Sequence, residues 1–150
     1  MKISAYLRES PMFAVKQAAR NFDALAAAAF SADDLGLTEG LILAAIFFEA
    51  PNPIRPSQLA DAFLTTRSNV SHAISSLEAK GLVQRKIDET DARAYVLTLK
   101  PAGKKSAVRV IGSFDKMQRK FEQKVGKANL EAALGVIRSL HENVASLSKL

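Results

Sequence analysis

A run of short hydrogen-bonding side chains lies in the stretch TTRSNVSHAISSLEAKGLVQRK, residues 65–86. Serine, threonine and asparagine usually mark loops, yet apolar residues recur here at the spacing of one helical face: Val70, Ile74 and Leu77. The pattern therefore predicts a helix over residues 67–80, with Thr66 as its N-cap and Gly81 at its C-terminal end. Its outer face would be polar without the Glu and Lys that favour an ordinary solvated helix.

That outer face is the first candidate for a binding site. The side chains expected on it are Ser68, Asn69, Ser71, His72 and Ser75. Such groups donate and accept hydrogen bonds at short range, which suits contact with the edges of DNA bases. Two other interpretations remain open. Ser68 and Asn69 could satisfy backbone donors of the first helical turn, and His72 could be an ordinary surface histidine.

The segments before this helix are predicted to be helical as well. Ser10 and Pro11 suit the start of a helix over residues 11–30. Thr38 is expected to cap a second helix, residues 39–49, which is apolar on nearly all sides and should be buried. The loop APNPIRP and a short helix over residues 57–63 then lead to the polar helix.

The segments after it alternate and then return to helical spacing. LVQRKI and AYVLTL predict two strands joined by an exposed polar tip, DETDAR. Two longer helices follow over residues 102–125 and 128–148, separated by Gly126. The predicted fold class is mainly α with a small β-hairpin wing, which is a winged helix-turn-helix. Arg67, Arg85 and Lys86 flank the polar helix and are candidates for phosphate contacts.

Composition narrows the possible functions. The 150 residues include no cysteine, which excludes disulfides, thiolate metal sites and a cysteine nucleophile. Residues 1–50 carry four Lys and Arg against six Asp and Glu, whereas residues 51–105 carry nine against five and residues 106–150 eight against four. A basic middle and tail favour a polyanionic partner. No apolar run is long enough to span a bilayer and the N-terminus lacks a signal-peptide core, so we expect a cytoplasmic protein without a membrane partner.

The ordered set of motifs over residues 35–105 closely resembles the MarR family of bacterial transcriptional regulators. The motifs are Leu59-Ala60, the Ser/Thr-rich opening Thr66 to Ser71, Leu77 to Arg85, Asp91-Ala92-Arg93, and Leu99 to Gly103. The family commonly has threonine where this chain has Lys100, so we expect a weaker cap for the following helix.

The resemblance implies a DNA-binding regulator, in many members a repressor, that binds a pseudo-palindromic operator as a homodimer. It also implies one MarR-like domain over residues 1–150, with a winged-helix lobe at about 35–100 and dimerisation helices at 1–34 and 101–150. Arg93 at the wing would then contact the minor groove of double-stranded DNA. Alternatively, Arg93 could pair with Asp91 and stiffen the wing; the two interpretations are compatible.

The resemblance further implies release by a small aromatic effector, since many members bind phenolic or other aromatic ligands. The aromatic residues that we expect near such a site are Tyr6, Phe13, Phe47 and Phe48, although ordinary core packing would explain them equally. No cofactor and no metal site are expected, because the two histidines are scattered. Motifs of catalysis are missing from the sequence, so an enzyme is not expected. The alternative is a winged helix that binds another protein instead of DNA.

Overall fold

A computed structural model describes residues 2–88, 91 and 93–147, with side chains as far as residue 143. Over these residues the chain forms seven α-helices and one hairpin: α1 (Lys2–Glu9), α2 (Pro11–Phe30), α3 (Leu37–Glu49), α4 (Pro56–Ala62), α5 (Arg67–Ala79), β1 (Val83–Ile87), β2 (Tyr95–Leu99), α6 (Pro101–Val125) and α7 (Lys127–Leu147). Two compact units are present, residues 1–111 and 112–150, and their boundary falls within α6. The predicted mainly α fold with a small hairpin is confirmed.

The N-terminal part contains one predicted helix and one that the sequence pattern did not indicate. Ser10 caps α2 as expected, because its Oγ accepts from the Phe13 N–H at 3.3 Å. Phe30 is buried at the far end of α2, and its ring and the Val110 side chain of α6 both lie close to Gly40 of α3. Helix α1 has no buried residue, so it lacks the repeated core positions from which a helix is recognised in a sequence.

Helix α3 is largely buried over residues 40–46, as predicted, but Phe47 and Phe48 are exposed and the prediction for its start was wrong. Thr38 lies inside the helix, and Gly36 is the N-cap. The Gly36 N–H donates to Oε2 of Glu39 at 2.8 Å, so the acidic side chain three residues on satisfies the end of the helix. Ile42 and Leu43 are fully buried, which makes α3 the central helix of the first unit.

Helices α4 and α5 are joined by a tight turn whose backbone is strained. Leu64 has φ of +51°, in the left-handed region that usually favours glycine, and its side chain is exposed. The Leu64 N–H donates to the Asp61 carbonyl at 3.3 Å and the Thr65 N–H to the Ala60 carbonyl at 3.1 Å. These two bonds form a Schellman motif, which ends α4 and redirects the chain into α5.

Helix α5 agrees closely with its prediction. Thr66 is the N-cap, and its Oγ1 accepts from the Asn69 N–H at 3.1 Å. The three predicted inward residues are each fully buried: Val70, Ile74 and Leu77. Gly81 has φ of +70° and ends the helix, while the Leu82 N–H donates to the Leu77 carbonyl at 2.9 Å.

The hairpin follows α5 directly. β1 and β2 are antiparallel, with Val83 opposite Leu99 and Ile87 opposite Tyr95. A Cβ at Gly103 of α6 would lie 1.9 Å from the Leu82 carbonyl oxygen, so α6 begins closer to the hairpin than any side chain there would allow. The tip prediction lies partly outside the described residues, because 89, 90 and 92 are not among them.

The second unit comprises the end of α6 and α7. Gly126, with φ of +83°, separates the two helices as predicted. Large apolar side chains remain partly exposed along α7: Leu134, Val136, Ile137 and Leu140. The predicted spans of both helices agree with the structure to within a residue over the described range.

Candidate nucleic-acid interface

The outer face of α5 is a continuous exposed polar surface. The sequence-predicted residues on this face are all exposed: Arg67, Ser68, Asn69, Ser71, His72 and Ser75. Ser68, His72 and Ser75 lie on the side of the helix away from its three fully buried residues, with the others at the edges of that side. The structure therefore brings the predicted helix residues together on one surface, which we call the α5 polar face.

Asn69 has a defined local environment at the start of this face. Its Nδ2 donates to Oγ1 of Thr65 at 3.2 Å, while its backbone N–H is held by Thr66. The side-chain amide is thus oriented by a neighbouring hydroxyl and not by a backbone donor of the first turn. This arrangement keeps the Asn69 side chain exposed above the N-terminal end of α5.

Arg85 of β1 connects the hairpin to α5. Its Nη1 contacts Oε2 of Glu78 at 3.1 Å, and its Nη2 donates to Oγ of Ser75 at 3.4 Å. Its guanidinium carbon also lies 5.0 Å from the centre of the Tyr95 ring. The guanidinium that was predicted to contact phosphate is therefore engaged within the chain, where it links a residue of the α5 polar face to the sheet.

Lys80 fixes the C-terminal end of α5 by contacts with Asp34 and Glu39. Its Nζ contacts both carboxylate oxygens of Glu39, at 3.0 and 3.2 Å, and the carbonyl oxygen of Asp34. Burial by itself would raise the pKa of Glu39, but hydrogen bonds from Gly36, Ser76 and Lys80 outweigh burial and hold that pKa below its usual value. Glu39 thus stays ionised and connects α3 to the end of α5.

The hairpin supplies further cationic side chains. Lys86 of β1 and Arg93 near the tip are both exposed. The Arg93 backbone N–H donates to Oδ1 of Asp91 at 3.1 Å, so Asp91 shapes the backbone from which the Arg93 side chain projects. This contact involves the backbone of Arg93, so the pairing of its guanidinium with Asp91 stays a prediction.

An ion pair at the end of β1, next to the tip of the hairpin, was missed by the sequence interpretation. Arg55 precedes α4, and its Nε and Nη2 lie 2.7 and 2.6 Å from Oδ2 of Asp88. Only 10% of the Asp88 side chain is exposed. The two residues are 33 positions apart, so only the fold brings them together.

A cavity of about 380 Å³ lies beside β2 in the first unit, as large as a small ligand pocket. Its lining includes Ile46, Phe47, Pro51, Leu97, Thr98 and Lys104. Phe48 meets Phe47 edge to face, with ring centres 6.1 Å apart, but does not line the cavity. Tyr6 and Phe13 also lie outside its lining, so the structure does not bring the four predicted aromatic residues together there.

Among the residues that the structure describes, no group of three or more His, Asp or Glu side chains could hold a metal ion. Within the same ranges, no helix is both long and apolar enough to cross a membrane. Asp33 and Arg109 form an ion pair elsewhere in the first unit, and the Arg109 hydrogen bond lowers the pKa of the Asp33 carboxyl.

Two helices joined by a tight turn, followed by an antiparallel hairpin, define a winged helix-turn-helix. The MarR family model matches residues 33–94, which contain both helices, the turn between them and β1, and which end just before β2. The predicted resemblance to the MarR family is therefore confirmed over residues 33–94.

This chain is similar to known proteins both in sequence and in fold. A proposed transcriptional regulatory protein for the hcr operon of Thauera aromatica is 29% identical over 93 residues, which is 61% of this chain and 56% of that relative. The chain therefore spans little more than half the length of that relative.

Two solved structures share the fold over most of their length. MepR of Staphylococcus aureus, in a complex with DNA, has a TM-score of 0.83 at 18% identity, covering 90% of this chain and 98% of that one. The transcriptional repressor CouR, bound to a 23-mer DNA duplex, has a TM-score of 0.79 at 19% identity, with 90% and 94% covered.

Proposed function

We propose that this chain is a DNA-binding transcriptional regulator that reads base edges with the α5 polar face. The proposal rests on the observation that α5 buries one face completely and exposes short hydrogen-bonding groups on the other. A recognition helix that enters the major groove needs such an arrangement. The DNA complexes of MepR and CouR, which share the fold, support the proposal.

The proposal assigns a role to the polar side chains of α5 and to the cationic side chains of the hairpin. Ser68, Asn69, Ser71, His72 and Ser75 contact base edges or neighbouring phosphates. Arg67 and Lys86 contact phosphates, and Arg93 enters the minor groove beside them. Arg85 supports Ser75 and reaches phosphate only if it leaves Glu78.

The proposed active form is a homodimer. Helix α2 buries only Ala26 and Phe30 within the chain, and large apolar side chains along it are exposed: Met12, Phe13, Val15, Phe22 and Leu25. A second copy is the proposed occupant of this face, because the MarR resemblance implies intertwined terminal helices. In this division of the domain, about residues 35–100 bind DNA while 1–34 and 101–150 form the dimer. The two recognition helices would then address half-sites about 34–36 Å apart.

The proposed effect on transcription is repression, as in CouR, whose name describes a repressor. A dimer that occupies a pseudo-palindromic operator would exclude polymerase from an overlapping promoter. Because such a regulator works on chromosomal DNA, we place the chain in the bacterial cytoplasm.

A small aromatic carboxylate is the proposed effector, and the cavity beside β2 is its proposed site. Phe47 and Leu97 supply apolar walls, while Lys104 supplies a positive charge. Oγ1 of Thr98 is buried, and within the described part of the chain it has no hydrogen-bond partner. A carboxylate there would satisfy this hydroxyl, which is otherwise costly to bury.

DNA binding is tested by selecting duplexes from a random pool and comparing the selected duplex with a scrambled one of equal length in gel shifts. The selected duplex should bind at least about 10³-fold more tightly at physiological salt. Equal affinity for both duplexes would contradict base readout. Retention of neither would contradict DNA binding and favour a protein-binding winged helix.

The dimer is tested by sedimentation of the full chain and of Val15→Glu and Leu25→Glu variants. The full chain should sediment as two copies at micromolar concentration, and the variants as one, since a charge within an apolar interface is costly. Glu at exposed Lys16 of the same helix is the matched control. A single-copy mass for the full chain would refute the dimer.

The effector is tested by thermal shift and gel shift with salicylate-like carboxylates at millimolar concentration. They should stabilise the full chain and weaken its DNA binding, and Lys104→Met or Thr98→Val should reduce both effects. For a 100-fold release of DNA, the ligand must favour the non-binding state by about 2.7 kcal/mol. If no carboxylate has either effect, this chain has no effector of that class.

A further inference from the structure

The hairpin of this chain is attached to the helix-turn-helix by more than its own two strands. A two-stranded hairpin alone is marginally stable in water, so its tip needs outside support to hold one position. The segment just before α4 provides such support, because Ile54 forms an isolated antiparallel bridge with Leu97 of β2. The Leu97 N–H donates to the Ile54 carbonyl at 3.0 Å.

The next residue, Arg55, makes the second connection. Its Nε and Nη2 both contact Oδ2 of Asp88, at 2.7 and 2.6 Å. The Arg55 backbone N–H in turn donates to Oε1 of Gln58, so Arg55 is also the N-cap residue of α4. The position of this guanidinium is thereby tied to the first helix of the helix-turn-helix.

Asp88 occupies the position where β1 gives way to the tip. Its backbone N–H donates to the Ala94 carbonyl at 3.1 Å, which closes the hairpin ladder, and its carbonyl accepts from the Asp91 N–H at 3.3 Å. The exposed Arg93 lies five residues further along. Because the Asp88 carboxylate is nearly buried, loss of the Arg55 guanidinium would weaken the stabilisation of a charge that is largely shielded from water.

We propose that Arg55 and Asp88 form a latch that sets the position of the wing tip, so that Arg55 is a positioning residue for DNA binding. The proposal rests on the proposed function for its effect on DNA. The latch itself makes a claim about the free chain, which is tested without DNA. Charge-assisted contacts of this kind are stronger than neutral ones and are geometrically specific for arginine.

The first experiment measures the wing tip in the free chain. Because the sequence has no cysteine, Arg93→Cys provides a single site for a nitroxide label whose mobility is read by electron paramagnetic resonance. Arg55→Lys, which keeps the charge, and Asp88→Asn should each increase the mobility of that label. Arg109→Lys is the matched control, since Arg109 is also ion-paired to an aspartate but lies in α6. Unchanged mobility in both latch variants would overturn the latch.

The second experiment measures coupling in full-length chains that retain Arg93, against a duplex selected from a random pool. Arg55→Lys should lower affinity about three- to tenfold, and should lower it little further when combined with Arg93→Ala, because both changes remove the same interaction of the wing with DNA. Arg109→Lys should have no effect in either background. Fully additive losses would overturn the positioning role and make Arg55 a direct contact.

The two experiments separate failure of the latch from failure of the proposed function. If the full chain selects no duplex while the latch variants free the label, DNA binding fails and the latch stands as a support of the wing. If the chain binds its duplex while Arg55→Lys changes neither label mobility nor affinity, the latch fails and DNA binding stands. A denaturant titration of each variant at equal concentration confirms that the compared chains are folded.

Discussion

Helices α2 and α5 are both amphipathic, yet they bury their apolar residues to very different extents. In α5 the three apolar positions of the inner face are fully buried within the chain, and its exposed face is polar. In α2, a helix of 20 residues, only Ala26 and Phe30 are buried, while Val15 and Phe22 are 41% and 50% exposed. The same helical periodicity thus has two outcomes, because the chain supplies a partner surface for α5 but not for most of α2.

The difference indicates how the two helices are used. A helix whose apolar side is covered and whose polar side is exposed can be held rigidly while it contacts a polar ligand. A helix with a long exposed apolar side is costly in water and is typical of a protein interface. On this comparison α5 belongs to the proposed DNA interface and α2 to the proposed dimer.

The largest expected effect is the loss of stability caused by a cavity under α5. Ile74→Ala should lower the free energy of unfolding by about 2–5 kcal/mol, because a fully buried side chain is removed. Denaturant titrations over about a hundredfold range of protein concentration provide the measurement. The loss should be nearly constant over that range, whereas the loss for Val15→Ala in α2 should depend on concentration. A concentration-independent loss at both sites would break the comparison.

Substitutions on the α5 polar face should leave stability nearly unchanged and reduce DNA specificity. Asn69→Ala or His72→Ala should each cost about 1–3 kcal/mol in binding to a selected duplex, since the shortened side chain no longer reaches a base edge. Parallel titrations with selected and scrambled duplexes measure the effect. Equal losses for the two duplexes would show that these side chains do not read bases.

Arg93 should contribute to DNA affinity through its charge more than through readout of the base sequence. Arg93→Ala should lower affinity and reduce the dependence of log affinity on log salt by about 0.9 for each phosphate that is no longer neutralised. Gel shifts across a salt series measure this slope. Glu at exposed Ala62 of α4 would serve as a comparison for a simple change of surface charge. An unchanged slope together with unchanged affinity would leave Arg93 only a role in the shape of the tip.

The turn that leads into α5 can be improved. Leu64→Asn should raise stability by up to about 1 kcal/mol, because asparagine tolerates the left-handed conformation that leucine adopts there at a cost. Thermal unfolding measures the gain, with Leu64→Val as a β-branched control that should lose stability. A loss in the asparagine variant would show that the exposed leucine side chain contributes to folding.

The smallest expected effect is the pH dependence of the Asp33–Arg109 pair. The pKa of Asp33 is lower in the folded chain than its ordinary value, so its contribution to stability is present above that ordinary value and is lost as pH falls through the folded pKa. Acid unfolding curves should therefore be shallower for Arg109→Gln than for the unchanged chain. Identical curves would show that the pair makes no net contribution.

Local features of the fold could be predicted from single residues and short spacings. Ser10 and Thr66 were correctly identified as caps, and Gly81 and Gly126 as helix ends, because each acts within a few residues of its own position. The N-cap of α3 was predicted at Thr38 but lies at Gly36. There the Glu39 carboxylate accepts the hydrogen bond from the Gly36 N–H. Helix α1 was missed because it buries nothing and so carries no core spacing.

The sequence by itself determined the order of the elements from α2 to α7, the buried face of α5 and the polar side chains on its exposed side, since helical periodicity and capping are local properties of the chain. Only the tertiary structure decided which cations are engaged. Arg85 meets Glu78 and Tyr95, and Arg55 meets Asp88, through contacts that depend on how the hairpin folds back on the helices. The physical reason is that an ion pair has no sequence period: its partners are selected by the three-dimensional path of the backbone, and that path depends on the whole core.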